Sequence, residues 1–144
     1  MTAKEYLGQA ALLRRRIKQV EDRIEEIRTE ASSPKAIRYD KDLVQSSPAG
    51  DALAKYIIRL EAEERKLIRL KTQYLDTWDK IRKQLAAVTP GIYSDLLYMR
   101  YLEEKSLGQI SEELNYSYEW TCRLHGKALH AFAQKFGDTY ANKS

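Results

Sequence analysis

Cysteine occurs once in these 144 residues, at Cys122, so no internal disulfide framework can staple the chain. Histidine occurs twice, and His125 and His130 are five residues apart. A zinc pair on a helix wants a spacing of three or four, which puts both rings on one face. One cysteine and two histidines do not complete a structural zinc site within one chain, so no metal is expected. No glycine-rich loop precedes a helix to cradle a phosphate. No nucleophile stands beside a base that could activate it. The sequence therefore names no catalytic residue and no cofactor, and enzymatic activity is not expected. Proline is scarce too, with three residues, while 32% of residues are charged, a balance that favours long solvated helices. β-branched residues are scattered and never alternate over a useful length, so strands are not expected. No apolar run is long enough to span a bilayer, and the N-terminus has no signal-peptide core. No membrane partner is expected, and the expected location is the cytoplasm.

What the chain does have is helical periodicity. Tyr6, Ala10, Leu13, Ile17, Val20, Ile24, Ile27 and Ala31 recur at alternating steps of four and three. That is a heptad seam sustained along one helix, predicted over 3–32. Ser32-Ser33-Pro34 stops it, because proline cannot continue the hydrogen-bond ladder. Residues 32–50 have little periodicity and read as a loop, with a short helical turn possible at 37–44. A second long helix is predicted over 51–88, with Asp51 as its cap. Its seam is Leu53, Ile57, Leu60, Leu67, Tyr74, Trp78, Ile81, Leu85 and Val88. Tyr56 and Leu70 widen the stripe, as suits a helix with more than one neighbour. With Trp78 they form the candidate seam of a homodimer. The two long helices are expected to pack as an antiparallel, coiled-coil-like hairpin.

The densest basic run, Arg14-Arg15-Arg16 with Lys18, flanks Leu13 and Ile17, with acidic partners at Glu21 and Asp22. It reads as a solvated helix face. The cluster of Arg65, Lys66, Arg69 and Lys71 reads the same way. The adjacent carboxylates Glu25-Glu26, Glu63-Glu64 and Glu103-Glu104 fall on predicted exposed faces.

The last third differs in layout. Thr89 and Pro90 can start a helix over 92–103. Ser106 can cap a second over 107–114, where Leu107, Ile110 and Leu114 share a face. Asn115 tolerates the left-handed conformation that ends a helix. Ser117 can then cap a third, over 118–136. Trp120, Leu124, Ala128, Leu129, Phe132 and Phe136 are assigned to its buried stripe. Tyr118, Glu119, Cys122, Arg123, Gly126 and Lys127 are left on the opposite side. Tyr118 is expected in solvent, and most of the neighbouring aromatics, Tyr93, Tyr98, Tyr101, Tyr116 and Trp120, in the core or at its edge. His125 is expected to be packed or hydrogen-bonded. Residues 91–116 carry two basic and five acidic groups, and residues 117–144 carry four and two. The positive half thus contains the third helix, although the last third as a whole is weakly acidic.

The stretch RYLEEKSLGQISEELNYS, followed by a helix with Arg-Leu-His and Lys-Ala-Leu steps, resembles region 4 of the sigma-70 family. More closely, a long-helix region followed by SYEWTCRLHGKAL looks like a family of small phage and prophage proteins grouped with late-transcription regulators. The resemblance covers about the last fifty residues, and the long helices by layout only. Thr121 stands where sigma-like units commonly have Val, and Gly126 weakens a helix by ~1 kcal/mol relative to Ala. Periodicity and resemblance together give the expected architecture, an all-α protein with a helical hairpin at 1–88 and a helix-turn-helix at 89–144. It implies a transcription regulator in a bacterial host cell, with double-stranded DNA and RNA polymerase as partners. In that reading Tyr118, Glu119, Cys122, Arg123, Gly126 and Lys127 meet DNA. Arg123 would pair with guanine, Glu119 with cytosine, and Lys127 with phosphate. The competing expectation is a non-enzymatic interaction or assembly adaptor, such as a DNA-packaging recognition subunit, that works through its coiled-coil surface.

Overall fold

Thr2 starts the first helix of the computed structural model: its Oγ1 accepts the Glu5 N–H at 3.1 Å. The structure describes residues 1–32 and 47–141. All elements among them are helical, with no strand. α1 (Ala3–Leu7) and α2 (Gln9–Ala31) replace the single predicted helix, parted only at Gly8. The ladder still crosses that residue, since Gly8 N–H donates to Lys4 O at 3.0 Å and Leu12 N–H to Gly8 O at 3.1 Å. α3 runs Ser47–Ala86, so it starts four residues before the expected cap, Asp51. Pro48 does not oppose this, because the first turn has no use for its missing N–H. The turn predicted at 37–44, and most of the predicted loop, lie outside the described residues. No helix of the described chain is long and apolar enough to cross a membrane.

The chain divides into two compact units, Met1–Leu13 with Tyr74–Ser144, and Arg14–Gln73.

Within Arg14–Gln73, ion pairs join α2 to α3. Glu21 meets Lys71 at 3.7 Å, Arg23 meets Glu63 at 3.3 Å, Arg28 meets Glu64 at 3.2 Å, and Glu30 meets Arg59 at 3.5 Å. From Glu21 to Glu30 on α2 the α3 partners run from Lys71 back to Arg59, so the segments are antiparallel. Most of these side chains are well exposed, so each pair contributes at most ~1 kcal/mol. Burial of Val20, Ile24 and Ile27 holds the segments together; Ile17 is half-buried and Ala31 exposed. Leu53 and Ile57 were expected in the α3 seam and are exposed. Glu30 already sits opposite Arg59. Residues before Arg59 therefore lie past the end of α2, with no described helix to cover them. The basic run Arg14-Arg15-Arg16 is solvated, as expected, with Lys18 paired to Asp22 at 3.7 Å.

In the other unit, α4 is Gly91–Leu97 and a π-helical turn follows at Tyr98–Leu102. Pro90, not Thr89, occupies the N-cap position, and no side chain caps this helix. The wider π turn adds a residue to the repeat, so that Leu96, Leu97, Tyr101 and Leu102 all reach the core. α5 is Leu107–Leu114, and α6 is Tyr118–Ala141, five residues longer than predicted. Tyr6, Phe132 and Tyr140 stack with centroids 4.8 to 6.1 Å apart. The Tyr6 hydroxyl donates to Gln84 Oε1 at 2.7 Å. This aromatic stack joins the N-terminal turn to α6 and explains why residues 1–13 belong to this unit. Trp78 packs edge-on against Tyr98, with centroids 6.3 Å apart. That contact takes up one of the three residues proposed for a dimer seam.

Candidate nucleic-acid interface

The geometry of this surface is set by three local hydrogen-bonding devices. Ser106 and Gln109 form a reciprocal capping box: Ser106 Oγ accepts the Gln109 N–H at 3.1 Å, and Gln109 Oε1 accepts the Ser106 N–H at 2.9 Å. Asn115 then ends α5 with φ 58° and ψ 38°. The Tyr116 N–H returns to Ser111 O at 3.0 Å, which satisfies a terminal carbonyl. Ser117 starts α6, its Oγ accepting the Trp120 N–H at 3.1 Å. The result is helix, short turn, helix, with Ile110 and Leu124 in the shared core. Upstream, Lys105 Nζ lies 2.9 Å from the Glu113 carboxylate and pins the preceding loop to α5. That hydrogen bond raises the Lys105 pKa.

The buried face of α6 differs from the predicted one at its first turn. Thr121 is fully buried, along with Leu124, Ala128 and Phe132. Its Oγ1 donates to Ser117 O at 2.9 Å, so the hydroxyl enters the core already satisfied. Trp120, expected in the buried stripe, is 40% exposed. The two positions are 100° apart on a helix, and here Thr121 faces the core while Trp120 does not. The smaller side chain takes the buried position. Tyr116 is exposed as well, against expectation, and Tyr118 is exposed as expected. Tyr101 is buried, and Tyr93 and Tyr98 are half-buried.

The structure brings the predicted site residues onto one side of α6. Tyr118, Glu119, Arg123, Gly126 and Lys127 are exposed, and Cys122 is half-buried. A hydrogen bond with Cys122 raises the Tyr118 pKa. A Cβ built on Gly126 would meet no atom within 4 Å beyond its chain neighbours and the local helix backbone, so packing does not demand a glycine there. Sequence reasoning missed Trp120, His130 and Tyr93. Lys127 Nζ lies over the Trp120 ring at 5.1 Å from its centroid, a cation–π contact across two helical turns. An open groove of about 570 Å³ continues along the same side, lined by Tyr93, Arg123, Gly126, Lys127, His130 and Ala131. The spacing of Trp120, Arg123, Lys127 and His130 at steps of three and four was the available signal. It was obscured by assigning the tryptophan to the core.

His125 packs inward, as expected: its Nε2 lies 2.8 Å from the Tyr101 hydroxyl. Among the described residues no three His, Cys, Asp or Glu side chains gather to hold a metal ion. This side of α6 carries two cations, one carboxylate, exposed aromatic rings and a glycine. No family model, no curated protein and no solved structure matches the chain.

Proposed function

We propose that the protein is a transcription regulator of phage type that binds double-stranded DNA, with the N-terminal half of α6 in the major groove. One observation carries this reading: Arg123 and Lys127 project into solvent from the first three turns of a helix that starts directly after a tight turn. A recognition helix contacts base edges with its N-terminal residues. Arg123 makes the bidentate pair with guanine, Glu119 accepts from cytosine, and Lys127 meets phosphate. Tyr118, Cys122 and Gly126 complete the contact surface. The protein acts in the cytoplasm of a bacterial host cell as a homodimer on paired half-sites, and its long helices dock RNA polymerase. Selection from a random duplex library tests the reading. Enrichment of a defined motif supports it, and a library that stays random after several rounds refutes it.

A second reading, the assembly adaptor, is favoured by a different observation. Ile58, Ile68 and Leu75 on α3 are each more than 60% exposed. Exposed apolar side chains on one helix suit a protein partner. A chain that binds no duplex but co-purifies with a defined protein through α3 would establish it.

A further inference from the structure

Three large aromatic side chains stand in water within five residues of each other. Tyr116 is 41% exposed, Tyr118 58% and Trp120 40%. None of them is needed to fill the core, because Thr121 and Leu124 already close that face. Phosphate contacts are made by cations, hydroxyls and N–H groups, and most base-edge contacts by hydrogen-bonding groups. A broad apolar ring adds nothing to either. Base edges in the major groove present one apolar group, the C5-methyl of thymine.

The placement of Trp120 fits that group. Lys127 lies over one face of its indole, and the part of the residue that remains exposed can meet a ligand. Arg123 stands one turn further along the same side and is exposed. From Tyr116 to Gln134 the sequence has Arg123 and Lys127 against a single acid, Glu119. The apolar ring is therefore flanked by charge complementary to phosphate, which is the setting of a base edge between two backbone strands.

We propose that Trp120 is a specificity-determining residue that selects thymine by packing against its C5-methyl in the major groove. This rests on the DNA-binding reading above and adds the identity of one base. Lys127 holds the indole in place, so ring and cation act together: the ring meets the methyl while the ammonium remains near phosphate.

The test uses the full-length protein and the duplex motif that it enriches from a random library. Each thymine of the motif is replaced in turn by uracil, which removes only the methyl group. At one position, uracil should weaken wild-type binding about fourfold, the size of one buried methyl group (~0.8 kcal/mol). Trp120→Ala should bind the thymine and uracil duplexes equally. The base replacement leaves the protein unchanged, so its result does not depend on how the variant folds. A motif with no methyl-sensitive thymine overturns the proposal and leaves DNA binding standing. So does a Trp120→Ala protein that still discriminates the methyl. If no motif is enriched, both readings fail together.

Discussion

The Tyr101 hydroxyl and His125 Nε2 are 2.8 Å apart, and their rings stack with centroids 5.7 Å apart. This pair ties the π-helical turn to α6 inside the core. Burial pushes the Tyr101 pKa up to about 12, so the phenol keeps its proton and donates. Burial also lowers the His125 pKa below 6.5, with Arg100 and Lys4 adding to the effect, so the neutral ring accepts at Nε2. Stability should follow from both shifts. In acid the unfolded chain takes up a proton on His125 before the folded chain does. Stability is therefore full above pH 6.5 and falls as pH drops from there through the lower folded value. In alkali the unfolded chain loses the Tyr101 proton first, so stability falls as pH rises from 10 towards about 12. Urea denaturation of wild type and His125→Phe across pH should show a shallower acid limb in the variant. Identical acid limbs would show that His125 does not couple folding to protons.

Trp120 and Thr121 provide a direct check on the phase of α6. Trp120→Ala should cost under ~0.5 kcal/mol, as an exposed substitution does. Thr121→Leu should cost ~1–3 kcal/mol by overpacking a fully buried site. Thermal unfolding by circular dichroism measures both. The reverse ranking would put Trp120 in the core and Thr121 in solvent.

Much of this phase is legible in the sequence, and the part that is not has a physical reason. Ser106, Asn115 and Ser117 were read as stop and start signals because each has a local hydrogen-bonding role that needs no tertiary information. Tyr6, Leu13, Val20, Ile24 and Ile27 were read as a buried seam because heptad spacing is local too. Trp120 was misread because apolarity alone does not distinguish core from an exposed aromatic surface. Thr121 was missed because a buried hydroxyl needs a partner, and its partner is the carbonyl four residues back in its own helix. The association of Tyr6 with Phe132 and Tyr140 was not legible, since nothing local links residues that far apart. The exposure of Tyr118, Glu119, Arg123, Gly126 and Lys127 on α6 is legible because it requires only the helical repeat.

Gly126 separates stability from recognition. Beyond its chain neighbours and the local helix backbone, no atom comes within 4 Å of a Cβ there, and the position lies inside α6. Gly126→Ala should raise stability by about 0.5–1 kcal/mol. If DNA approaches this point of α6 closely, the same change should weaken specific binding at least severalfold. Paired melting and anisotropy titrations resolve the two effects. A stabilised variant with unaltered DNA affinity would remove Gly126 from the contact surface.

The most direct measurement is anisotropy of a labelled duplex carrying the selected motif, titrated with wild type, Arg123→Ala and Lys127→Ala over a salt series. Arg123→Ala should lose about 1–3 kcal/mol on the motif and little on random duplex, as expected for a lost guanine pair. Lys127→Ala should weaken both and reduce the salt slope by about one unit, as expected for a lost phosphate contact. Unchanged motif binding by Arg123→Ala, together with loss of function on changing Ile68 of α3 to serine, would contradict the recognition-helix account and favour the adaptor.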